Sequence, residues 1–331
     1  MNQPDRILVT GGAGYIGSHC CKALETAGFT PVTFDNLSRG HADAVRWGPL
    51  VVGDLRDKAQ VLATLQEHQI KAVVHFAALA YVGESVEDPQ LYYDNNLGGM
   101  MGLLAAMQEA QVERIVFSSS CATYGTPAML PIAENCSQQP INPYGRTKLA
   151  CEWMLRDAEM AWGLRHVALR YFNAAGADPE GEIGERHDPE THLIPLVLMA
   201  ASGRAGPVKL FGTDYGTPDG TCIRDYIHVS DLARAHILAL EHLEKGNTSI
   251  ALNLGTGKGA SVRDVINAVE RVSGKRVPYS EEMRRAGDPA ELYADPRNAA
   301  RTLGFHAEFN LDDIVRDAAP WFQTDAQPVA R

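Results

Sequence analysis

The sequence predicts an α/β protein, a doubly wound parallel sheet followed by a smaller α/β domain, on three observations. Short apolar runs alternate with helix-period segments through the first half, the pattern of strands joined by crossover helices. The first run, Ile7-Leu8-Val9, ends in the glycine cluster Gly11-Gly12-Ala13-Gly14-Tyr15-Ile16-Gly17, and an apolar-periodic helix follows through Ala23, Leu24 and Ala27. From Ala174 the alternation gives way to Ala175–Thr191, a long connection rich in Gly, Pro and acid, of the kind that serves binding sites.

The opening turn is read from its spacing. Of Gly11, Gly14 and Gly17, one makes the tight turn, one admits a pyrophosphate to the backbone and one lets helix pack close to strand. The helix N-terminus then offers unpaired N–H groups and a partial positive charge to phosphates. Gly28 is placed to end that helix. Val32 and Phe34 mark a second strand with Asp35 at its end, about 20 residues past the glycines, where an acid binds the hydroxyls of an adenosine ribose. Asp35 repels a 2′-phosphate, which favours NAD over NADP, and Arg39 nearby softens that preference.

Further strands are expected at Leu50–Asp54, Ala72–Phe76, Arg114–Phe117 and His166–Phe172, with helices through Val61 to Leu65, from Leu91 to Ala110, and from Pro143 to Gly163. Ligands of a doubly wound sheet sit beyond the carboxyl ends of its strands. Gly11 to Gly17, Asp35, Asp54, Phe76-Ala77-Ala78, Ser118-Ser119-Ser120 and Asn173 all follow strand ends, so they should meet in one pocket. Thr221–Leu254 reads as strand, helix and strand returning to the large sheet. The expected division is therefore residues 1–173 plus about 221–254 as a Rossmann domain that binds NAD. Residues of about 174–220 and 255–331 form the substrate domain, with a loose end from Asp325 to Arg331.

Composition narrows the class. At 331 residues the chain can bury one large core or two ordinary ones. It is 45% hydrophobic and 21% charged, ordinary for a globular protein, and its net charge of -11 argues against a nucleic-acid surface. No apolar run approaches the ~18 residues of a membrane span, and the N-terminus lacks the apolar core of a signal peptide, so a cytoplasmic location is expected. The six cysteines form no C-x-x-C pair, and reduced, buried thiols are expected. His187-Asp188-Pro189-Glu190-Thr191-His192 gathers possible ligands but lacks the spacing of zinc motifs and contains a proline, so no metal is expected.

The catalytic signal is Tyr144-Gly145-Arg146-Thr147-Lys148. At i and i+4 on one helix, Tyr144 and Lys148 face the same way. Half-ionising a phenol near pH 7 requires about 4 kcal/mol against its reference pKa of about 10. One ammonium at about 4 Å contributes that much at an effective dielectric of about 20. An oxidised nicotinamide adds a second positive charge, and the two together offset burial.

With these residues in view, the chain resembles the extended short-chain dehydrogenase/reductases and, within them, the UDP-glucose (UDP-galactose) 4-epimerases. The glycine turn, the Ser118–Ser120 strand end and Tyr144-x-x-x-Lys148 carry the wider likeness. Val82-Gly83-Glu84-Ser85, Tyr92 to Asn96, Tyr171 to Gly176, Asp219 to Thr221, Arg224 to Val229, Asn253 to Gly255 and Arg285 to Asp288 carry the finer one, over about Arg6 to Trp321. The resemblance implies inversion at C4 of a UDP-sugar through a transient 4-keto sugar, with bound NAD. Tyr144 would be the base, oriented by Lys148, and Ser120 would hydrogen-bond the same sugar oxygen. It adds Tyr15, Ile16, Asn36, Leu55, Asn95, Ser118 and Tyr171 to the cofactor cleft. For the UDP-sugar it implies Arg224 and Arg285 at the diphosphate, Asn173, Tyr226 and Asp288 at the nucleotide, and His192, Leu193, Leu210, Phe211 and Leu292 around them.

Two positions depart from the family pattern. Ala80 stands where some members carry a lysine that contacts the cofactor. Leu292 stands where a tyrosine goes with narrow acceptance of glucose and galactose, so N-acetylated and pentose sugars stay open. A dehydratase would need an acid and a base after the fifth strand, where this chain has Cys121-Ala122. A non-catalytic NAD sensor, the other alternative, has no need of Tyr144 and Lys148 together. The helices Leu91 to Ala110 and Pro143 to Trp162 resemble those that pair in this family, which implies a homodimer.

Overall fold

The computed structural model describes residues 4–285 and 288–323. Ala286 and Gly287 of the Arg285–Asp288 motif, and the segment Asp325 to Arg331, lie outside the described residues.

The chain opens as β1 (Arg6–Thr10), α1 (Tyr15–Thr26), β2 (Thr30–Asp35), β3 (Leu50–Val52), α2 (Lys58–Glu67) and β4 (Ala72–His75). These six elements form as the hydrophobic pattern requires. Alternate residues of β1 serve opposite faces: Ile7 and Val9 pack with Cys20, Cys21 and Leu24 of α1, while Leu8 packs with Val61 and Leu65 of α2. Ile7, Leu8 and Val9 are wholly buried, a contribution of about 1.5–3 kcal/mol each.

The expected helix from Leu91 to Ala110 is present, running unbroken from Pro89 to Glu109 with one π turn inside it. Preceded by a separate short helix, α3 (Val82–Glu87), it comprises α4 (Pro89–Tyr92), a π turn over Tyr93–Leu97 and α5 (Gly98–Glu109). The cause of that turn is Asn96, which is buried within it. Its side chain accepts from Leu79 N at 2.9 Å and donates to Leu79 O at 3.1 Å and to Thr147 Oγ1 at 3.0 Å. The extra residue in the turn aims this amide inward, a use of π turns common at functional sites.

Next come β5 (Arg114–Ser120), α6 (Pro143–Trp162) and β6 (Arg165–Tyr171). Asn142 caps α6 by accepting from Gly145 N at 2.8 Å, Pro143 occupies its first turn, and Gly163 closes it with φ 81°. The chain continues through β7 (Asn173–Ala175), α7 (Leu193–Ser202), β8 (Val208–Phe211), β9 (Ile223–Arg224), β10 (Tyr226–His228), α8 (Val229–Glu244) and β11 (Ile250–Leu254). The last elements are β12 (Ala260–Ser261), α9 (Val262–Ser273), β13 (Tyr279–Glu282), β14 (Glu291–Leu292), α10 (Arg297–Leu303) and α11 (Leu311–Gln323).

The large sheet has seven parallel strands in the order β11-β6-β5-β4-β1-β2-β3. The strand order reverses between β1 and β4, the place where such sheets open a ligand crevice. Of the segment Thr221–Leu254, α8 packs against the sheet's first face and β11 pairs with β6. The strand expected at its start does not return. β9 pairs with β12 and β14, and β10 pairs with β7. The buried Asp225 between them fixes this arrangement by accepting from Thr256 N, Thr256 Oγ1, Gly257 N and Ala294 N at 2.7–3.2 Å. A separate apolar core joins α7, β8, α9 and α11.

The six cysteines are free, as expected, but Cys121 and Cys136 are only partly buried. No helix among the described residues is long and apolar enough to cross a membrane.

Candidate active site

The glycine turn is shaped by close approach. Gly11 has φ 73°, and a Cβ there would lie 2.6 Å from Ala77 N, so β4's end can sit against the turn only without a side chain. At Gly17 a Cβ would lie 2.1 Å from Gly11 O. Gly14 is the N-cap of α1 and offers no side chain to the first-turn N–H groups, which leaves them to an anion. Tyr15 donates to Gly176 O at 2.6 Å and so ties this turn to the connection after β7, while Ile16 packs into the sheet's core.

Asp35 is buried at the end of β2 beside that turn. Its carboxylate accepts from Ala13 N at 3.1 Å and Leu37 N at 2.8 Å, and burial raises its pKa against those bonds. Arg39 is committed elsewhere. It pairs with Glu84 at 2.6 Å and lies over the Tyr81 ring, which removes it as a ready partner for a 2′-phosphate. Asn36 and Arg56 both bond Asp54 and hold its carboxyl below the usual range, with Arg56 the larger cause. The Leu55 side chain belongs to the core, so only its backbone is available to a ligand. Phe76 packs against His236 at 4.6 Å, Ala77 and Ala78 follow β4, and Asn95 bonds Asn96 at 2.9 Å.

Tyr144 and Lys148 project from one face of α6 toward the end of β5, as their spacing predicts. Lys148 Nζ donates to Ser118 O at 2.8 Å, lies 5.0 Å from the Phe117 ring centre and 5.8 Å from that of Tyr144. Burial lowers its pKa to about 8. Tyr144 goes the other way. Burial raises it first, Tyr171 adds to the rise, and a hydrogen bond with Ser120 opposes it. In the protein alone burial dominates the phenol, which fits the expectation that the nicotinamide charge is needed beside that of Lys148. Ser118 Oγ and Tyr171 OH meet at 2.5 Å, and Ser120 Oγ accepts from Ala122 N at 3.1 Å.

The substrate candidates fall into several groups. Arg224 forms an ion pair with Asp288 and bonds Ile223 O at 2.7 Å. Burial raises the pKa of Cys121, next to Ser120, and of Tyr226, and the charge of Arg224 opposes both rises, so it is felt at the carboxyl end of β5. Arg285 lies over the Phe211 ring at 4.0 Å. Leu292 packs against the small cluster of Tyr124, Ile132, Phe172 and Ala294, as Cys121 also does. Asn173 donates to Asp225 O at 3.1 Å. Leu210 and Tyr226 are buried in the second core, with Leu193 packed against it, so their side chains brace the site. His192 is held by Glu185 and Glu190.

One network escaped the sequence reading. Glu152, four residues beyond Lys148 on α6, accepts from Ser119 Oγ at 2.6 Å and from Arg170 at 2.6 and 2.8 Å. Arg170 also donates to Tyr124 OH at 2.8 Å, and that hydroxyl donates to Asn253 at 2.7 Å. All five are buried and back the Ser118–Ser120 strand end. An acid and a base on an apolar helix face and an apolar strand were the available signal.

A family profile described as the NAD dependent epimerase/dehydratase family matches residues 7–255. The chain belongs to this family. Among curated members it is similar to a UDP-glucose 4-epimerase of Rhizobium leguminosarum bv. trifolii, at 52% identity over 96% of this chain and 97% of that one. The structure of UDP-glucose 4-epimerase from Brucella ovis in complex with NAD superposes with a TM-score of 0.95 at 57% identity, covering 96% and 98% of the two chains. That of UDP-glucose-4-epimerase from Stenotrophomonas maltophila, with bound NAD and formylated UDP-arabinopyranose, gives 0.93 at 45% identity, covering 96% and 97%.

Proposed function

We propose that this chain interconverts the C4 epimers of a UDP-sugar, UDP-glucose and UDP-galactose, with NAD as its resident cofactor. The observation that carries the reading is the convergence of Ser120, Tyr144 and Lys148 at the end of β5, in a family member about half identical to UDP-glucose 4-epimerases over nearly its full length.

NAD fits the residues present. The first turn of α1 suits a pyrophosphate, and Asp35 suits the adenosine ribose. When bound, NAD supplies the hydride acceptor and donor that make the inversion redox-neutral. Tyr144 removes the proton of the sugar 4-hydroxyl and returns it after the sugar has turned over. Ser120 hydrogen-bonds the same oxygen and eases the proton transfer. Burial works against the Tyr144 phenolate, so the base is strong only when positive charge gathers beside it. Lys148 supplies part of that charge and is itself steered by Ser118 O.

A sugar that must rotate is gripped loosely, so affinity comes from the uridine diphosphate. Arg224 and Arg285 take the diphosphate, with Asn173, Tyr226 and Asp288 at the nucleotide. The Arg224–Asp288 pair opens or shares its charge when the diphosphate arrives. Leu292, packed against the same small cluster as Cys121, borders the sugar end of the cleft.

The assembly is a homodimer in a cytoplasmic setting. Met101, Trp153 and Met160 leave 55–87% of their surface exposed on the two long helices, a face that a second copy would cover. Equilibrium sedimentation giving a monomer mass would refute that. The reaction is tested by incubating the purified protein with UDP-glucose, UDP-galactose, their N-acetyl forms and UDP-pentoses without added NAD. Interconversion without net NADH supports the reading; net NADH turnover on a keto sugar would mean a reductase instead.

A further inference from the structure

The connection after β7 repeats a short pattern, Glu185-Arg186-His187 and Glu190-Thr191-His192. Glu185, outside the stretch His187 to His192, closes the cluster of possible ligands. Glu185 Oε1 lies 3.0 Å from His187 Nδ1 and 2.8 Å from His192 Nδ1. Glu190 Oε1 lies 3.0 Å from His192 Nδ1, and its Oε2 lies 3.7 Å from His187 Nδ1. One ligand atom from each of the four residues falls within 4.8 Å of all the others.

We propose that Glu185, His187, Glu190 and His192 form a binding site for a divalent transition-metal ion, Zn²⁺ by its ligand set. Ligands about 2.0–2.2 Å from a tetrahedral ion lie roughly 3.4 Å from one another; three of the four separations are shorter, at 2.8–3.0 Å, and one is longer, at 3.7 Å, so a bound ion would part the closer pairs by a few tenths of an ångström. Two imidazoles with two carboxylates suit zinc better than the hard oxygen-only cations. Glu190 Oε2 independently points to a ligand: it is buried without a hydrogen-bond partner, on a side chain only 9% exposed. Glu185 is 2% exposed, so two carboxylates are withdrawn from water side by side, and a dication with neutral imidazoles neutralises both.

The neighbouring acidic group shows the contrast. Asp178, Glu180 and Glu182 gather around Lys22 Nζ at 2.7–2.8 Å, and that ammonium occupies the place an ion would take. In the histidine cluster the charge facing Glu185 and Glu190 comes from the rings of His187 and His192, whose pKa values these carboxylates raise to about 9 and about 10 against burial, so an ion there would displace their protons. The cluster's walls are the rings of Tyr15 and Tyr81, 6.2 and 5.8 Å from that of His187, and Arg186 anchors the segment by pairing with Asp43. An ion there would fasten the connection after β7 beside Tyr15 of the glycine turn. The inference stands on this geometry, and it shares only His192 with the residues expected around the UDP-sugar.

The test uses the full chain, stripped with a chelator and titrated with Zn²⁺ against a chromophoric competitor. One ion per chain is expected, with Glu190→Gln and His187→Gln each weakening affinity about 100-fold or more. Binding no tighter in the unmodified chain than in the variants would overturn the proposal. Co²⁺ gives a second reading on the unmodified chain, should a variant fail to fold. The strong visible absorption of a tetrahedral ion supports the site, and the weak spectrum of the hydrated ion refutes it.

Discussion

Lys148 Nζ donates its 2.8 Å hydrogen bond to the carbonyl oxygen of Ser118, so the α6 ammonium is fixed to the end of the strand that carries Ser120. The lysine is held there despite burial, which lowers its pKa from 10.5 to about 8. Between those values the unfolded chain binds more protons than the folded one, so stability contributed by this group rises with pH through the window and is lowest below it. Replacing it by Lys148→Met removes the dependence. Unfolding free energies of both proteins at pH 7 and 10.5 should therefore diverge in favour of the unmodified chain, by up to about 3 kcal/mol as pH rises. A constant gap would show that the ammonium is not desolvated.

Gly17→Ala places a methyl 2.1 Å from Gly11 O, a backbone atom that cannot turn aside. Denaturant unfolding should show a loss of about 3 kcal/mol or more, and NAD should wash out on gel filtration. Normal stability would mean that the helix can shift away from the strand at little cost.

Asp35→Asn removes the charge at the end of β2 while keeping an oxygen that can accept from Ala13 N in the glycine turn. Loss of a charge-assisted pair of hydrogen bonds should weaken NAD about 10- to 100-fold by calorimetry, with UDP affinity unchanged. An equal loss for both ligands would instead indicate a general collapse of the cleft.

Arg224→Leu should do the reverse. UDP affinity is expected to fall at least about 10-fold, and NAD retention to stay the same. The freed Asp288 carboxylate adds repulsion, so Asp288→Asn in the same chain should recover part of the loss.

The first half of this fold was legible because its strands carry their own signal. Ile7 to Val9 and Ala72 to Val74 are continuous apolar runs bounded by turn residues, and Pro143 and Gly163 mark the ends of a helix locally. What stayed hidden depends on partners distant in the chain. The π turn at Tyr93–Leu97 exists for Asn96, whose partners are Leu79 and Thr147. The Glu152–Arg170 pair joins residues 18 apart and the Tyr124–Asn253 bond residues 129 apart, separations that no periodicity reveals. The site showed the same division. Tyr144 and Lys148 were readable from i, i+4 spacing, whereas the balance between burial and charge on the phenol required knowing how deeply it lies.

The most direct measurement is the rate of UDP-glucose to UDP-galactose conversion by the unmodified chain and by Tyr144→Phe, each checked for retained NAD. The expected result is conversion without added NAD or net NADH, reduced about 100- to 10,000-fold in the variant while the cofactor stays bound. Conversion unimpaired by loss of the phenol oxygen, or no conversion by the unmodified chain, would contradict the assignment.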